Sequence, residues 1–366
     1  MNTAKELKEY YHFQRMQQFE QPRSRVGEIG VHIPERVVDN AEMANLVKGP
    51  DRLKRSLPDI IARTTGNHNR VYAAEGTVPS DLAVAAIFDL VKRASLDINT
   101  VDTLIFASTD MDMMEPATAN IVQERLGLKC VNSFDVSNAC NSFLQAMNIG
   151  NSLIATGAAR RVLICSGELG SVVCNREVAD VKELRTKMGG LTLGDAGAAL
   201  LLEPADNGIG LTEINLMTYG EHWRLCHVPE KEEWRQNGGA INPWFYLDMP
   251  ALAKIARRYS LRYFQDYERI RRDHFGEKDF AASLDFFVPH QISRKLIEEV
   301  CLQDMKMPTD KVVITADIYG NTASTAIPLA MRRIMDKGEL LLGSGAECFL
   351  YGAASGFGMG HIRLRF

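Results

Sequence analysis

DVSNACNSFLQAMNIGN, residues 135–151, carries one cysteine where an extended run passes into a helical one. Small or polar residues (Ser137, Asn138, Ala139) lead into Cys140, and an apolar helical period follows through Phe143, Leu144, Met147, Leu153 and Ile154. A cysteine in this place has two readings. It is a small hydrophobe filling the core, or a nucleophile on a helix N-terminus, where the local positive charge favours thiolate and lowers the pKa from ~8.5.

Outward from this switch the chain alternates. VDTLIFAST (101–109) reads as a buried strand and ATANIVQERLG (117–127) as a helix. A strand ends near Asp135, RVLICSG (161–167) is another, and LTLGDAGAALLLEP (191–204) is a Gly/Ala-rich turn running into a third. A second set begins after about residue 205: LDFFVPH (284–290) as strand, QISRKLIEEVCLQ (291–303) as helix, KVVITADIYGN (311–321) as strand, TASTAIPLAMRRIMDKG (322–338) as helix. ECFLYGAASGFGMGHIRLRF (347–366) closes the chain as Gly-broken strands. Such alternation predicts α/β layers with largely parallel central strands.

The chain thus divides into an N-terminal half over 25–205 and a C-terminal half over 206–366, alike in structure without an evident sequence repeat. The clusters ARRYSLRYF (256–264) and YERIRRDH (267–274) predict a helical insertion over about 206–283. Residues 1–24 form an extension in which Tyr10, Phe13, Met16 and Phe19 recur every third position. That spacing predicts a short amphipathic helix packed on its own domain or on a partner subunit.

Composition narrows the class. With 366 residues, 46% hydrophobic and 24% charged, the chain reads as a folded enzyme-sized protein able to bury a large core. A net charge of −4 gives no reason to expect a nucleic-acid partner. The seven cysteines (130, 140, 165, 174, 226, 301, 348) form no C-x-x-C pair, which argues for a reducing compartment. No segment reaches the ~18 apolar residues of a membrane span, and the start of the chain lacks a signal-peptide core. The expectation is a cytoplasmic protein without stable membrane insertion.

Three residues stand where α/β sheets gather their ligands, at the carboxyl ends of predicted strands: Cys140, His290 and Asn321. Each alone has an ordinary structural reading, as a core thiol, a core imidazole or a helix N-cap. His290 follows Pro289, which biases the chain to extended structure, and Asn321 sits in Gly320-Asn321-Thr322, where glycine allows close backbone approach.

Together, NAC (138–140), PHQ (289–291) and GNTAST (320–325) resemble the condensing enzymes of the thiolase fold, namely ketoacyl-ACP synthase III and, more nearly, the OleA type. FDVSNAC (134–140), MEPATANIV (114–122), SGE (166–168), LTLGDAGAA (191–199) and HQISR (290–294) carry the OleA-like resemblance, in family order. It implies a thiolase-like fold: two similar βαβαβ-type halves in α-β-α-β-α layers, with the site between them, as a homodimer. It also implies that Cys140 takes up an acyl group as a thioester, splitting one hard step into two. The backbone N–H groups of Cys140 and Ser355 would form one oxyanion hole, and His290 with Asn321 a second, for an enolate. Ala354 stands at a usual glycine of that loop, which suits alanine if φ is negative.

Glu115 is the discriminating residue. In the OleA type the glutamate of the matching EP motif comes from the partner subunit and is the candidate base for an α-proton, so condensation needs no decarboxylation. Read by itself, Glu115 before Pro116 is an ordinary helix start. Glu168 is a second carboxylate that the family can place near the cavity, as acid or base. The main expectation is a non-decarboxylative Claisen condensation. The alternatives are a decarboxylative synthase III-like reaction with a malonyl or β-ketoacyl extender, acyl transfer from Cys140 to an amine or alcohol, and a non-condensing partner subunit. Substrates would be coenzyme A or acyl-carrier-protein thioesters, with no tightly bound cofactor and no metal.

Arg257, Arg258 and Arg262, or Arg294 and Lys295, are candidates for a coenzyme A phosphate or an acidic carrier protein, although basic pairs are mostly solvated helix faces. GAASGFGMG lacks the long helix a dinucleotide loop needs. His222 and His227 flank Cys226 without a zinc spacing, and Asp110, Asp112 and Glu115 read as a solvated acidic loop.

Overall fold

The computed structural model describes residues 11–228 and 244–366. Its strands, in chain order, are β1 (Gln17–Gln18), β2 (Ser24–His32), β3 (Arg36–Asp39), β4 (Asn69–Tyr72), β5 (Thr103–Ala107), β6 (Asn132–Val136), β7 (Val162–Leu169), β8 (Asp195–Pro204), β9 (Gly210–Thr218), β10 (Cys226–His227), β11 (Tyr246–Leu247), β12 (Phe286–Pro289), β13 (Glu347–Ala354) and β14 (Gly358–Arg365). Two five-stranded sheets frame the molecule, ordered β2-β8-β7-β5-β6 and β1-β9-β14-β13-β12.

Both sheets are mixed. In the first, β5 runs parallel to β6 and β7, and β8 is antiparallel to β7 and β2. In the second, β12 is parallel to β13, and β14 is antiparallel to β13 and β9. Beyond β12 the segment 311–313 extends the ladder, with Phe287 N–H donating to Lys311 O at 2.8 Å and Val313 N–H to Phe287 O at 2.9 Å. From β9 to that segment, the second sheet repeats the strand order and directions of β2-β8-β7-β5-β6.

Alternation of side chains sets the layers. On β7 every residue is buried, so both faces of this strand are covered, as an apolar central strand requires. Leu163 and Cys165 face a core with Ala83, Ala86, Ile87 and Leu90 of the helix Pro79–Ala94. Val162 and Ile164 face the opposite way, onto Phe143, Leu144 and Met147 of the helix Ser142–Ala155. Leu350 and Ile362 of the second sheet and Leu329, Met331 and Ile334 of the helix Ala326–Asp336 share that inner core. Phe287, Phe349 and Tyr351 point outward from the second sheet to Tyr263, Phe264 and Tyr267 of the helix Met249–Phe275. The result is five layers, with two helices in the middle. Close packing of the outer helix on the first sheet needs glycine: a Cβ on Gly167 would stand 1.9 Å from Pro79 O.

Four expectations change. The central strands are not largely parallel, because β2, β8, β9 and β14 close each sheet antiparallel. The stretch 206–283 is not a helical insertion throughout: Gly210–Thr218 is β9, and β14 needs it to satisfy its backbone groups. The helix within that stretch is Met249–Phe275. KVVITADIYGN is strand-like only over 311–313, since Ala316–Tyr319 turns helical. In the extension, residues 1–10, with Tyr10, lie outside the described residues; Tyr11–Phe13 is one tight turn and Gln17–Gln18 an edge strand on β9, so the expected helix does not run on through Phe13, Met16 and Phe19. Phe13 is fully buried against Tyr263 and Tyr267, so the apolar spacing serves docking. Among the described residues no helix is long and apolar enough to cross a membrane.

Candidate active site

The two middle helices start at the same end of the molecule, and their approaches match. Ala139 holds φ 48°, and Asn141 N–H closes onto Asn138 O at 3.1 Å before the helix begins at Ser142. In the other half Ala323 also holds φ 48°, and Thr325 N–H closes onto Thr322 O at 3.1 Å before Ala326. Left-handed backbone at a non-glycine residue is uncommon and is kept where the surroundings over-determine it. Cys140 and Ser324 therefore occupy equivalent positions, a thiol in one half and a hydroxyl in the other.

Cys140 is partly accessible. Two backbone N–H groups, that of Ser355 and its own, lie against its sulfur and favour the thiolate. Ala354, just before Ser355, is extended at φ −142° and ψ 158°, so the alanine meets no strain. The expected lowering of the thiol pKa is not what the surroundings give. Dense burial pushes the thiol up, Cys226 and Glu168 add to this, and the two N–H groups offset only part of it.

His290 follows β12 and is 4% exposed. Its backbone N–H donates to Tyr351 O at 2.8 Å, tying it to the strand that leads to Ser355. Among the described residues neither ring nitrogen has a hydrogen-bond partner. Burial lowers its pKa to about 4, so at neutral pH the imidazole is uncharged, one nitrogen a donor and the other an acceptor.

Asn321 is buried and held through backbone and side chain alike. Its N–H donates to Thr192 O and its carbonyl accepts from Gly194 N–H, both at 2.9 Å. Oδ1 accepts from Ala323 N–H at 3.0 Å, which leaves the amide NH2 as the free donor. Gly320 permits this path: φ is 78°, and a Cβ would stand 2.6 Å from Thr192 O.

Sequence reasoning missed the part that joins these two residues. Gln291 is 1% exposed and saturates its amide. Nε2 donates to Pro289 O at 2.7 Å and Val313 O at 2.9 Å, while Oε1 accepts from Thr315 N–H at 2.7 Å and Ala316 N–H at 3.2 Å. One side chain thus fixes the segment carrying His290 to the segment carrying Asn321. The PHQ motif contained it, but only the three-dimensional path gives it a partner.

Glu168, at the end of β7, is buried and already occupied. Oε1 accepts from Thr109 N–H at 2.8 Å and Ser324 Oγ at 2.5 Å, and Oε2 from the Thr109 hydroxyl. Burial raises its pKa while these donors act against the shift. Its charge is felt at Cys140 and at Asp110, whose carboxyl burial and Glu168 push up to about 7. Glu115 is exposed and does not cap a helix. The helix starts at Thr118, and Asp135 takes the Thr118 and Ala119 N–H groups, each at 2.8 Å.

The basic candidates are engaged within the chain. Arg257 is paired with Asp304 through two contacts of 2.7 Å. Arg294 is held by Glu298 at 2.8 Å and Asp317 at 2.9 Å, and Arg258 lies over the Tyr259 ring. Asp195 supports a turn, accepting from Ser171 and Ala73 N–H at 2.8 Å each. Among the described residues no three His, Cys, Asp or Glu side chains gather as a metal would need.

Comparison with known proteins fits this geometry. Residues 134–220 match the family 3-oxoacyl-[acyl-carrier-protein (ACP)] synthase III, and residues 281–366 match its C-terminal counterpart. The chain is 30% identical over 345 residues to the beta-ketoacyl-[acyl-carrier-protein] synthase III of Laribacter hongkongensis, covering 94% of this chain and 100% of that one. It is 30% identical over 346 residues to the synthase III of Neisseria meningitidis, at 94% and 99% coverage. Among solved structures, synthase III (FabH) of Pseudomonas aeruginosa superposes with a TM-score of 0.78 at 26% identity, over 94% of this chain and 98% of that one. OleA of Xanthomonas campestris superposes with a TM-score of 0.82 at 20% identity, over 94% and 98%. The likeness to OleA is thus one of fold, and the sequence relatives carry the synthase III name.

Proposed function

This chain belongs to the 3-oxoacyl-ACP synthase III family of thiolase-fold condensing enzymes, and we propose that it joins an acyl group held on Cys140 to a malonyl-type thioester with loss of CO2. The observation that carries this reading is the pair of neutral donors: His290, uncharged and without a partner at either ring nitrogen among the described residues, and Asn321, whose anchored Oδ1 leaves its NH2 to donate. An enolate formed by decarboxylation needs such donors and no carboxylate base. Glu168 has its oxygens occupied and Glu115 is exposed, so neither of these two carboxylates is poised within one chain to take an α-proton. On these grounds the decarboxylative route displaces the non-decarboxylative one as the leading reading.

The Cys140 thiol attacks the acyl carbonyl; its proton leaves with the departing thiol of coenzyme A or carrier protein, and the acyl group stays on sulfur. The malonyl thioester loses CO2, and His290 N–H and Asn321 NH2 stabilise the enolate oxygen. The enolate carbon attacks the acyl-Cys140 carbonyl, whose oxyanion is met by the Cys140 and Ser355 N–H groups. Collapse expels the thiolate and releases a β-keto thioester.

We further propose that the active form is a homodimer. β6 is the edge strand of the first sheet among the described residues, and Met111, Met113 and Met114 lie exposed at 48%, 49% and 77%. Glu115 stands beside this methionine patch, which supports the second reading, an OleA-like base supplied across the dimer. Product mass tests the choice. With an acyl-CoA and a malonyl-carrier protein, β-keto product forms, needs the malonyl donor and survives Glu115→Gln. Product from acyl-CoA alone, lost in Glu115→Gln, would establish the second reading instead.

A further inference from the structure

The loop that carries the Ser355 N–H is backbone held against its own preference. Gly356 has φ 77°, as glycine allows, but Phe357 has φ 58°, which a bulky residue adopts only when its surroundings impose it. Those surroundings are specific. Tyr219 N–H donates to Phe357 O at 3.0 Å, and the Tyr219 ring lies 5.9 Å from the Phe357 ring. Tyr259 stands edge-on to Phe357 at 5.3 Å, His222 does so at 5.5 Å, and Tyr219 and Tyr259 touch at 4.4 Å. At the other end of the loop, the Ser355 hydroxyl bonds the Cys226 carbonyl.

Tyr219 is itself anchored from outside this cage. Its hydroxyl meets Nδ1 of His12, in the turn Tyr11–Phe13 of the N-terminal extension. That turn is locked in place, since Phe13 is fully buried and the His12 carbonyl accepts from Asn215 Nδ2 at 3.0 Å. A chain of contacts therefore runs from the extension through Tyr219 to Phe357, and two residues on to the N–H at the Cys140 sulfur.

We infer that Tyr219, braced by His12, is a positioning residue for the oxyanion hole: the N-terminal extension sets where the Ser355 N–H points. The inference rests on the reading of Cys140 as the acylated nucleophile. It assigns the extension a part in catalysis without contact with substrate. An oxyanion donor acts on the transition state, so loosening its support lowers the rate at saturation and leaves thioester binding alone.

The test is the single-turnover rate of acyl transfer to Cys140, followed by intact-protein mass across a range of acyl-CoA concentrations. Tyr219→Ala lowers the saturating rate about tenfold, a fraction of what losing a whole donor costs, with the half-saturating concentration within about twofold. Tyr219→Phe, which keeps the ring, recovers most of that rate. Tyr219→Phe and His12→Ala each cause a small loss, and the double variant loses less than the sum of the two, because both break the bond between them. Should Tyr219→Ala fail to fold, the cycle on Tyr219→Phe and His12→Ala decides. A folded Tyr219→Ala acylating at the wild-type rate, a change confined to half-saturation, or additive losses in the cycle would each overturn the inference and leave Cys140 acylation intact. Wild-type protein that gains no acyl mass would overturn both.

Discussion

The backbone N–H of Ser355 lies against the sulfur of Cys140, so the last loop of the chain and the start of a middle helix form one wall of the site. The account makes that N–H an oxyanion donor, and proline is the substitution that deletes it. Ala354 is already extended, as a residue before proline prefers. Ser355→Pro is expected to slow acylation of Cys140 by roughly 100-fold or more. Ser355→Ala keeps the N–H, loses only the bond to Cys226 O, and is expected to cost no more than about tenfold. Stopped-flow measurement of thiol release from acyl-CoA checks both.

His290 predicts a pH dependence of stability. Its folded pKa of about 4 lies below the ordinary 6.5, so the unfolded chain binds the proton more readily. The stability His290 contributes is therefore full above pH 6.5 and is lost as pH falls toward 4, by on the order of 3 kcal/mol. Asp110, whose carboxyl is pushed up to about 7, gives a slope of opposite sign in the same window, so the His290 share is read as the difference between wild type and His290→Asn in denaturant unfolding between pH 4 and pH 7. A variant as steep as the wild type would place the titration elsewhere.

Gln291 satisfies four backbone groups in a buried place. Gln291→Leu leaves those donors and acceptors unpaired, which is expected to cost about 3–5 kcal/mol. Condensation should suffer more than acylation, because the clamp joins the His290 and Asn321 segments and does not touch Cys140. Urea unfolding and separate rates for the two half-reactions measure this.

Glu168 is read as an acceptor hub and not as a base. In Glu168→Gln an amide NH2 would replace an oxygen facing Thr109 or Ser324, at a cost of about 1–3 kcal/mol. The expected outcome is a lower melting temperature with both half-reactions slowed together. Normal stability and acylation with condensation alone abolished would identify Glu168 as a base after all.

The fold was legible in the sequence where burial enforces a pattern. The continuous apolar run of β7 and the helical period after Cys140 report layers covered on both sides. β9 was hidden because GLTEINLMT mixes buried and half-buried residues beside a long Arg-rich helix, so its membership of the sheet depends on β14, far away in sequence. Among site residues, Cys140, His290 and Asn321 showed through their motifs. Gln291, Ser324 and Tyr219 did not, because each acts through a partner that only folding supplies: Val313 and Thr315, Glu168, and His12 with Phe357. The Cys140 pKa was read with the wrong sign, since a helix start is visible in sequence and the density of packing around a thiol is not.

The central claim is that Cys140 carries the acyl group between two half-reactions. Intact-protein mass after incubation with a panel of acyl-CoAs, without a malonyl donor, tests it directly. The account predicts that wild-type protein gains one acyl mass, that Cys140→Ala gains none, and that adding the malonyl thioester discharges the label. A Cys140→Ala protein that still gains the acyl mass would contradict it.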